Sequence, residues 1–172
     1  DDQKVIISSD KDFIQLCNGK TVLFRPIQDE VLNENRIVEK YGIHPTNFAL
    51  ARAICGDKSD NLPGVGGVGL KTISKRFSFL SGAKNYCLDD VLQECKETES
   101  KLKVYQNIID KEQLIRDNYQ LMQLYAPSIS YVAKEKIKNS VEELDYSLNK
   151  TLIRAMMIED GFGVYDWSTL FQ

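Results

Sequence analysis

The stretch "PGVGGVG" at residues 63–69 leaves the chain few options. Gly64, Gly66, Gly67 and Gly69 crowd behind Pro63. Glycine weakens helix and strand interiors, and proline removes a backbone donor, so no regular element runs through these residues. Apolar helical periodicity flanks them on both sides. Phe48, Ala49, Ala51, Ala53 and Ile54 line one helix before Gly56, and "LKTISKRFSFL" continues from Leu70 as another. The chain must therefore reverse between two helices through a hairpin with little side-chain cover. Bare N–H groups and the helix start near Leu70, with Lys71, Lys75 and Arg76 on or near one face, suit an anionic oxygen such as a backbone phosphate. The competing reading is a tight helix–helix turn with solvated lysines. The stretch is no Walker A loop, because Leu70 separates Gly69 from Lys71, and no apolar strand leads into it as a dinucleotide fingerprint requires.

Before this hairpin the pattern is mixed. Val5–Ser9 reads as a buried parallel strand, residues 11–17 as a short helix, Asn18-Gly19 as a turn, and "TVLFR" as a second strand stopped by Pro26. From Glu30 the period reads as helical, through Val31, Ile37, Val38 and Tyr41 to a cap at Gly42. After the hairpin the chain reads mostly as helix. Segments cover 88–95 and 102–124, the latter broken near Asp110, and one or two more cross 141–161 beyond a break at Pro127. The class is α/β at the front and all-α behind, divided as 1–44, 45–80 and 81–172. Met156 and Met157 read as core, "KEKIKNS" as a solvated face, and His44 as a loop residue at a helix start. Trp167, with Phe162, Tyr165 and Phe171, reads either as a docked C-terminal core or as a partner-binding tail.

Composition sets limits on partners and compartment. The chain has 172 residues, 42% hydrophobic and 27% charged, which suits one globular domain or two small ones. A net charge of −3 excludes a surface coated in positive charge but not a local basic stripe. Cys17, Cys55, Cys87 and Cys95 show no C-x-x-C spacing and read as reduced thiols, which points to the cytoplasm. There is no apolar run of about 18 residues and so no membrane-spanning helix. The opening "DDQKVIISSD" lacks an initiator Met and stands directly before a strand, so the chain is expected to be part of a longer one.

Four carboxylates carry the chemistry. Asp10 and Asp12 follow the first strand, at the sheet edge where ligand sites of parallel sheets lie. Asp57 and Asp60 stand one helical turn apart, immediately before the hairpin. Converging carboxylates repel unless a cation joins them. Mg²⁺ takes hard oxygen ligands, and pairs of divalent ions about 3.5–4 Å apart are a recurring device for phosphodiester cleavage. The plainer alternatives are that Asp10 caps a helix and that Asp60 closes a turn with Asn61.

"VIISSDKDFIQL" followed by "ICGDKSDNLPGVGGVGLKT" resembles the 5′ nuclease superfamily, which includes flap endonucleases, the 5′→3′ exonuclease domain of bacterial DNA polymerase I, and phage 5′ exonucleases and RNases H. The resemblance covers residues 4–80. Further on, "NYQLMQL" and "LNKTLIRAMMIEDGF" are most similar to the C-terminal helical region of T4-type phage RNase H. It implies the C-terminal part of a PIN-like 5′ nuclease fold, with parallel strands, then a helix–three-turn–helix, then an all-α region. It implies Asp10, Asp12, Asp57 and Asp60 as catalytic ligands of Mg²⁺ or Mn²⁺ in a two-metal site. It also implies Gly64, Gly66, Gly67, Gly69, Lys71, Thr72 and Lys75 as DNA contacts. A potassium ion is expected on main-chain carbonyls near Asn61, Leu62 and Val68.

The implied substrate is DNA with a 5′ end or flap, an RNA–DNA hybrid being a further candidate, with a replication accessory protein as a possible partner. The implied compartment is the cytoplasm, that of the host if the protein is phage-encoded. The family's earlier acidic motif and helical arch have no counterpart before Val5, so the chain alone is expected to have little or no nuclease activity. Two rival classes remain. One is a non-catalytic, structure-specific DNA-binding module; the other is a phosphohydrolase with Asp10 as nucleophile.

Overall fold

The computed structural model describes residues 2–98, 102–126, 129–144, 149–162 and 166. β1 (Lys4–Ile7) and β2 (Thr21–Arg25) run parallel, with Lys4 opposite Thr21 and Ile7 opposite Phe24. β3 (Glu30–Leu32) returns antiparallel on β2, giving the order β1-β2-β3. Asp29, at φ 46, makes the left-handed turn that lets the chain reverse into β3.

Two sequence expectations change here. The helical period read from Glu30 begins instead at Glu34, because Leu32 is buried and Val31 exposed in the alternation of a strand. Three strand residues are too few to stand out beside the strong helical pattern that follows. The first strand is not buried: Val5 is 57% and Ile7 71% exposed. β1 is an edge strand, and of its residues only Ile6 packs against the core.

The core forms around α2 (Pro45–Cys55). Phe48, Ala49, Leu50, Ala51, Ala53 and Ile54 are all buried, because this helix is covered on several sides. Pro45 sits in its first turn, where a missing N–H costs nothing, and His44 caps it by accepting the Thr46 N–H. His44 Nε2 also lies 2.9 Å from Glu34 Oε1, so the ring ties α2 to α1 (Glu34–Tyr41). α3 (Leu70–Arg76) contributes Ile73, and the turn after it contributes Phe77 and Leu80. α4 (Leu88–Glu97), α5 (Lys103–Asp110) and α6 (Glu112–Met122) complete this core, with the helix break at Asp110–Glu112 where the sequence places it.

Polar side chains pin the elements that frame the site. Buried Asn118 on α6 donates to the carbonyls of Ala53 (3.0 Å) and Pro63 (2.8 Å), fixing the residues on either side of the acidic turn. Buried Gln15 donates to Met122 O (3.0 Å) and accepts the Leu124 N–H (2.8 Å). Leaving either side chain unpaired costs roughly 1–3 kcal/mol, so these bonds specify where α6 docks.

Asp1–Pro127 form one compact unit and Ser128–Gln172 a second. The boundaries expected at residues 44 and 80 fall inside the first unit, whose apolar residues share one core. The second unit carries α7 (Tyr131–Glu142) and α8 (Lys150–Glu159), neither of which buries a residue. The expectation that Met156 is core is therefore corrected: it is 54% exposed, because α8 has apolar side chains but no buried face. Phe162 is exposed, while Tyr165, Trp167 and Phe171 lie outside the described residues. All four cysteines are free thiols. Among the described residues, no helix is long and apolar enough to cross a membrane.

Candidate functional site

The site begins where β1 ends. Buried Arg25 on β2 donates to Ser9 O from Nε (3.3 Å) and Nη2 (3.0 Å), holding the turn after β1 against the sheet. That turn delivers Asp10 and Asp12 to the first residues of a 3-10 helix, Lys11–Leu16. Asp10 Oδ1 accepts the Asp12 N–H at 2.9 Å, so Asp10 does act as the helix cap. Its exposed carboxylate nevertheless lines a cleft of about 320 Å³ with Ser9, Lys11, Arg52, Asp57, Ser59 and Asp60.

The second pair of acids comes from a short irregular loop, not from a helical turn. Asp57 and Leu62 bond each other reciprocally, N–H to O, at 2.9 and 2.7 Å, which closes residues 57–62 into a compact bulge. Asn61 takes a left-handed conformation (φ 57) at its tip. Asp57 Oδ1 accepts the Ser59 N–H (2.8 Å) and hydroxyl (2.5 Å). These bonds, the Ser59 hydroxyl foremost, hold its carboxyl down at about 2. Asp57 thus remains ionised at any ordinary pH. Asp60 is exposed on the cleft wall.

One residue absent from the sequence-derived site joins the two pairs. Arg52, near the end of α2, donates to Asp12 Oδ1 from Nε at 3.2 Å, and its Nη2 forms an ion pair with the same oxygen at 3.2 Å. Its Nη2 also donates to Asp57 Oδ2. The guanidinium side chain is 12% exposed and the two carboxylates 20% and 14%, so water screens the triad little. Burial raises the Asp12 carboxyl above its ordinary value; Arg52 opposes this, and the charges of Asp10 and Asp57 add to it.

The four acids therefore belong to one neighbourhood, three on the cleft and Asp12 bound to Asp57 through Arg52. Hard oxygen donors around a polar cleft fit a divalent cation chemically. Among the described residues, no three carboxylates, thiols or imidazoles yet stand in an arrangement that could hold a metal ion. Arg52 takes one oxygen each from Asp12 and Asp57, and one of Asp10 is turned to a backbone N–H.

The glycines after Pro63 fall into two groups. Gly64 lies against α2's end, and a Cβ there would sit 1.9 Å from Cys55 O and 2.6 Å from Gly56 N. Gly56 reciprocates: at φ +72, its Cβ would meet Gly64 N at 2.3 Å. Val65 and Val68 are buried and anchor the turn, Val65 donating to Ile54 O at 2.9 Å. Gly66, Gly67 and Gly69 are exposed and have open space where a Cβ would be, Gly67 being at φ +76. Lys71 and Lys75 on α3 are exposed, and Thr72 partly so. Leu62 O already accepts the Asp57 N–H, which leaves one lone pair for any ion at the carbonyls of Asn61, Leu62 and Val68.

An α/β unit that sets an acidic cleft at a strand end directly before an open glycine turn defines a recognisable class. No protein-family model matches the chain. It is 39% identical over 87 residues to the 5′-3′ exonuclease of Buchnera aphidicola subsp. Schizaphis graminum, covering 49% of this chain and 30% of that protein. It is 42% identical over 67 residues to the 5′-3′ exonuclease of Aquifex aeolicus, covering 39% and 23%. It also matches the thermostable DNA polymerase I of Thermus aquaticus, 41% identical over 70 residues, 41% of this chain and 8% of the relative.

The structure aligns with the bacteriophage T5 flap endonuclease in complex with DNA and metal ions at a TM-score of 0.67 and 23% identity, over 83% of this chain and 53% of that one. Alignment with the zinc-bound T5 5′-exonuclease gives 0.60 and 24%, over 70% and 43%. In sequence its similarity is to 5′-3′ exonucleases and DNA polymerase I, and in fold to 5′ nucleases. It spans less than a third of the length of the curated relatives it matches.

Proposed function

We propose that this chain is part of a metal-dependent 5′ nuclease that hydrolyses phosphodiesters near the 5′ end or flap of DNA replication and repair intermediates. The observation that carries the reading is the union of Asp12 and Asp57, from distant parts of the sequence, at one cationic group beside a polar cleft. Relatives named 5′-3′ exonuclease and DNA polymerase I, and a neighbour solved with DNA and metal ions, support it.

In this reading Asp10, Asp12, Asp57 and Asp60 hold Mg²⁺ or Mn²⁺, in a two-ion site. Bound divalent ions supply charge stabilisation for the leaving 3′ oxygen and acidify the attacking water. The chain's own groups position. Ser59 and the Asp57–Leu62 pairing keep the Asp57 carboxylate ionised and aimed at the cleft. Gly64, Gly66, Gly67 and Gly69 form a turn whose open part, with Lys71, Thr72 and Lys75, grips a phosphate backbone without reading bases. Potassium at the carbonyls of Asn61, Leu62 and Val68 would neutralise phosphate at the same place. Affinity is then insensitive to sequence and weakens steeply with salt. RNA–DNA hybrids as substrate, a replication accessory partner, a phage origin and a cytoplasmic location belong to the same proposal.

The test is cleavage of a 5′-flap duplex with Mg²⁺ by the complete gene product, its Asp57→Asn variant and the 172-residue chain. The proposal expects activity from the complete product, almost none from the variant, and little from the chain alone. A complete product that binds flaps tightly but never cuts them replaces this reading with the non-catalytic DNA-binding module, which the neutralisation of Asp12 and Asp57 by Arg52 favours.

A further inference from the structure

Arg52 is the one basic side chain on α2, set between fully buried Ala51 and Ala53. Most arginines in such a position reach solvent along their stems. This one turns its head into the carboxylates, and the whole side chain is only 12% exposed. Its planar fork divides between Asp12, forty residues earlier in the chain, and Asp57, five later. Arg52 thus presents positive charge to the two acids that come from different elements, the same pair a shared divalent ion must engage.

We propose that the Arg52 guanidinium and a divalent cation compete for the Asp12–Asp57 pair, so that Arg52 sets the metal affinity of the site. The inference rests on the reading of these carboxylates as cation ligands. Two like charges held at low exposure repel each other, and the guanidinium removes that repulsion. A divalent ion that engages both carboxylates has first to break the bonds from Nε and Nη2. Each bond to a charged group is worth more than a neutral one, so the displacement weakens observed metal affinity. In return the unliganded site keeps its shape, since Asp12 and Asp57 are already drawn together. Arg52 is here a positioning residue with a competitive cost to metal binding, distinct from the lysines that follow the turn.

Mn²⁺ titration of the 172-residue chain, read by the electron paramagnetic resonance signal of free Mn²⁺, tests this directly. Arg52→Gln should bind Mn²⁺ roughly 10-fold tighter than the unaltered chain. Its melting temperature should be lower without Mn²⁺ and rise more on adding it. Arg52→Lys, which keeps the charge but loses the fork, should fall between the two and serves if Arg52→Gln folds only with Mn²⁺ present. Equal or weaker Mn²⁺ binding by Arg52→Gln overturns the competition. Absence of Mn²⁺ binding that is sensitive to Asp57→Asn, in either background, overturns the carboxylate site itself.

Discussion

The acidic loop 57–62 and the glycine turn 63–69 are consecutive in the chain but are built by opposite means. The acidic loop, closed by the Asp57–Leu62 backbone pair, is held further by bonds to a side chain: Ser59 on one Asp57 oxygen and Arg52 on the other. The glycine turn, anchored by buried Val65 and Val68, depends on the absence of one side chain, since Gly64 leaves room for backbone to touch backbone at Cys55 and Gly56. The contrast teaches that altering charge in the first acts through side-chain bonds and leaves the backbone pair in place, whereas in the second the position of a single methyl group decides between a large loss of stability and almost none.

The comparison breaks most sharply on turnover. Asp57→Asn in the complete protein should lower cleavage on the order of 10³-fold while DNA affinity shifts about 3-fold or less, measured by single-turnover rates and anisotropy. Next in size is Gly64→Ala, expected to cost about 3–5 kcal/mol in urea unfolding, because its Cβ meets backbone that cannot move aside. Gly66→Ala, with open space around it, should stay within about 0.5 kcal/mol. If both alanines were equally tolerated, the division of the glycines into packed and open groups would be wrong. Lys71→Ala should weaken flap binding by roughly 10-fold and reduce the salt slope by about 1, with turnover at saturation unchanged.

The smallest effect is on pH. The Asp57 carboxyl lies at about 2 in the fold against an ordinary 3.8, so it contributes stability that is fully present above pH 3.8 and lost as pH falls through about 2. Asp12, raised by burial, works in the opposite direction. The difference in melting temperature between the unaltered chain and Asp57→Asn, followed from pH 5 to 2, isolates Asp57 and should shrink as the pH falls.

The parts of this molecule that are legible in its sequence are those whose cause is local. The β1–β2 order, the α2 core face, the break at Asp110, the glycine turn and the four acids each leave a signature within a few residues. β3 was hidden because three strand residues precede a strong helical pattern. The exposure of β1 was hidden because an apolar run does not say which of its faces is covered. Arg52 was hidden because its partners lie forty residues back and five ahead, across a tertiary contact. Its only local trace is a lone basic residue in "PTNFALARAIC", an otherwise uncharged helix. Asn118 and Gln15 are equally silent, since their bonds go to main-chain carbonyls far away in the chain. Gly56 reads in the sequence only as a helix end, because it stands apart from the glycine cluster whose packing it completes.

The account depends most on the four aspartates acting as one cation site. An anomalous difference map from a crystal soaked in Mn²⁺ addresses that without any assay of activity. The account predicts a manganese peak in the cleft, about 2.1 Å from carboxylate oxygens of Asp57 and at least one of Asp10, Asp12 and Asp60, with the Arg52 head swung away from Asp57. A peak elsewhere, or none while Arg52 stays bonded to both carboxylates at saturating Mn²⁺, would contradict it.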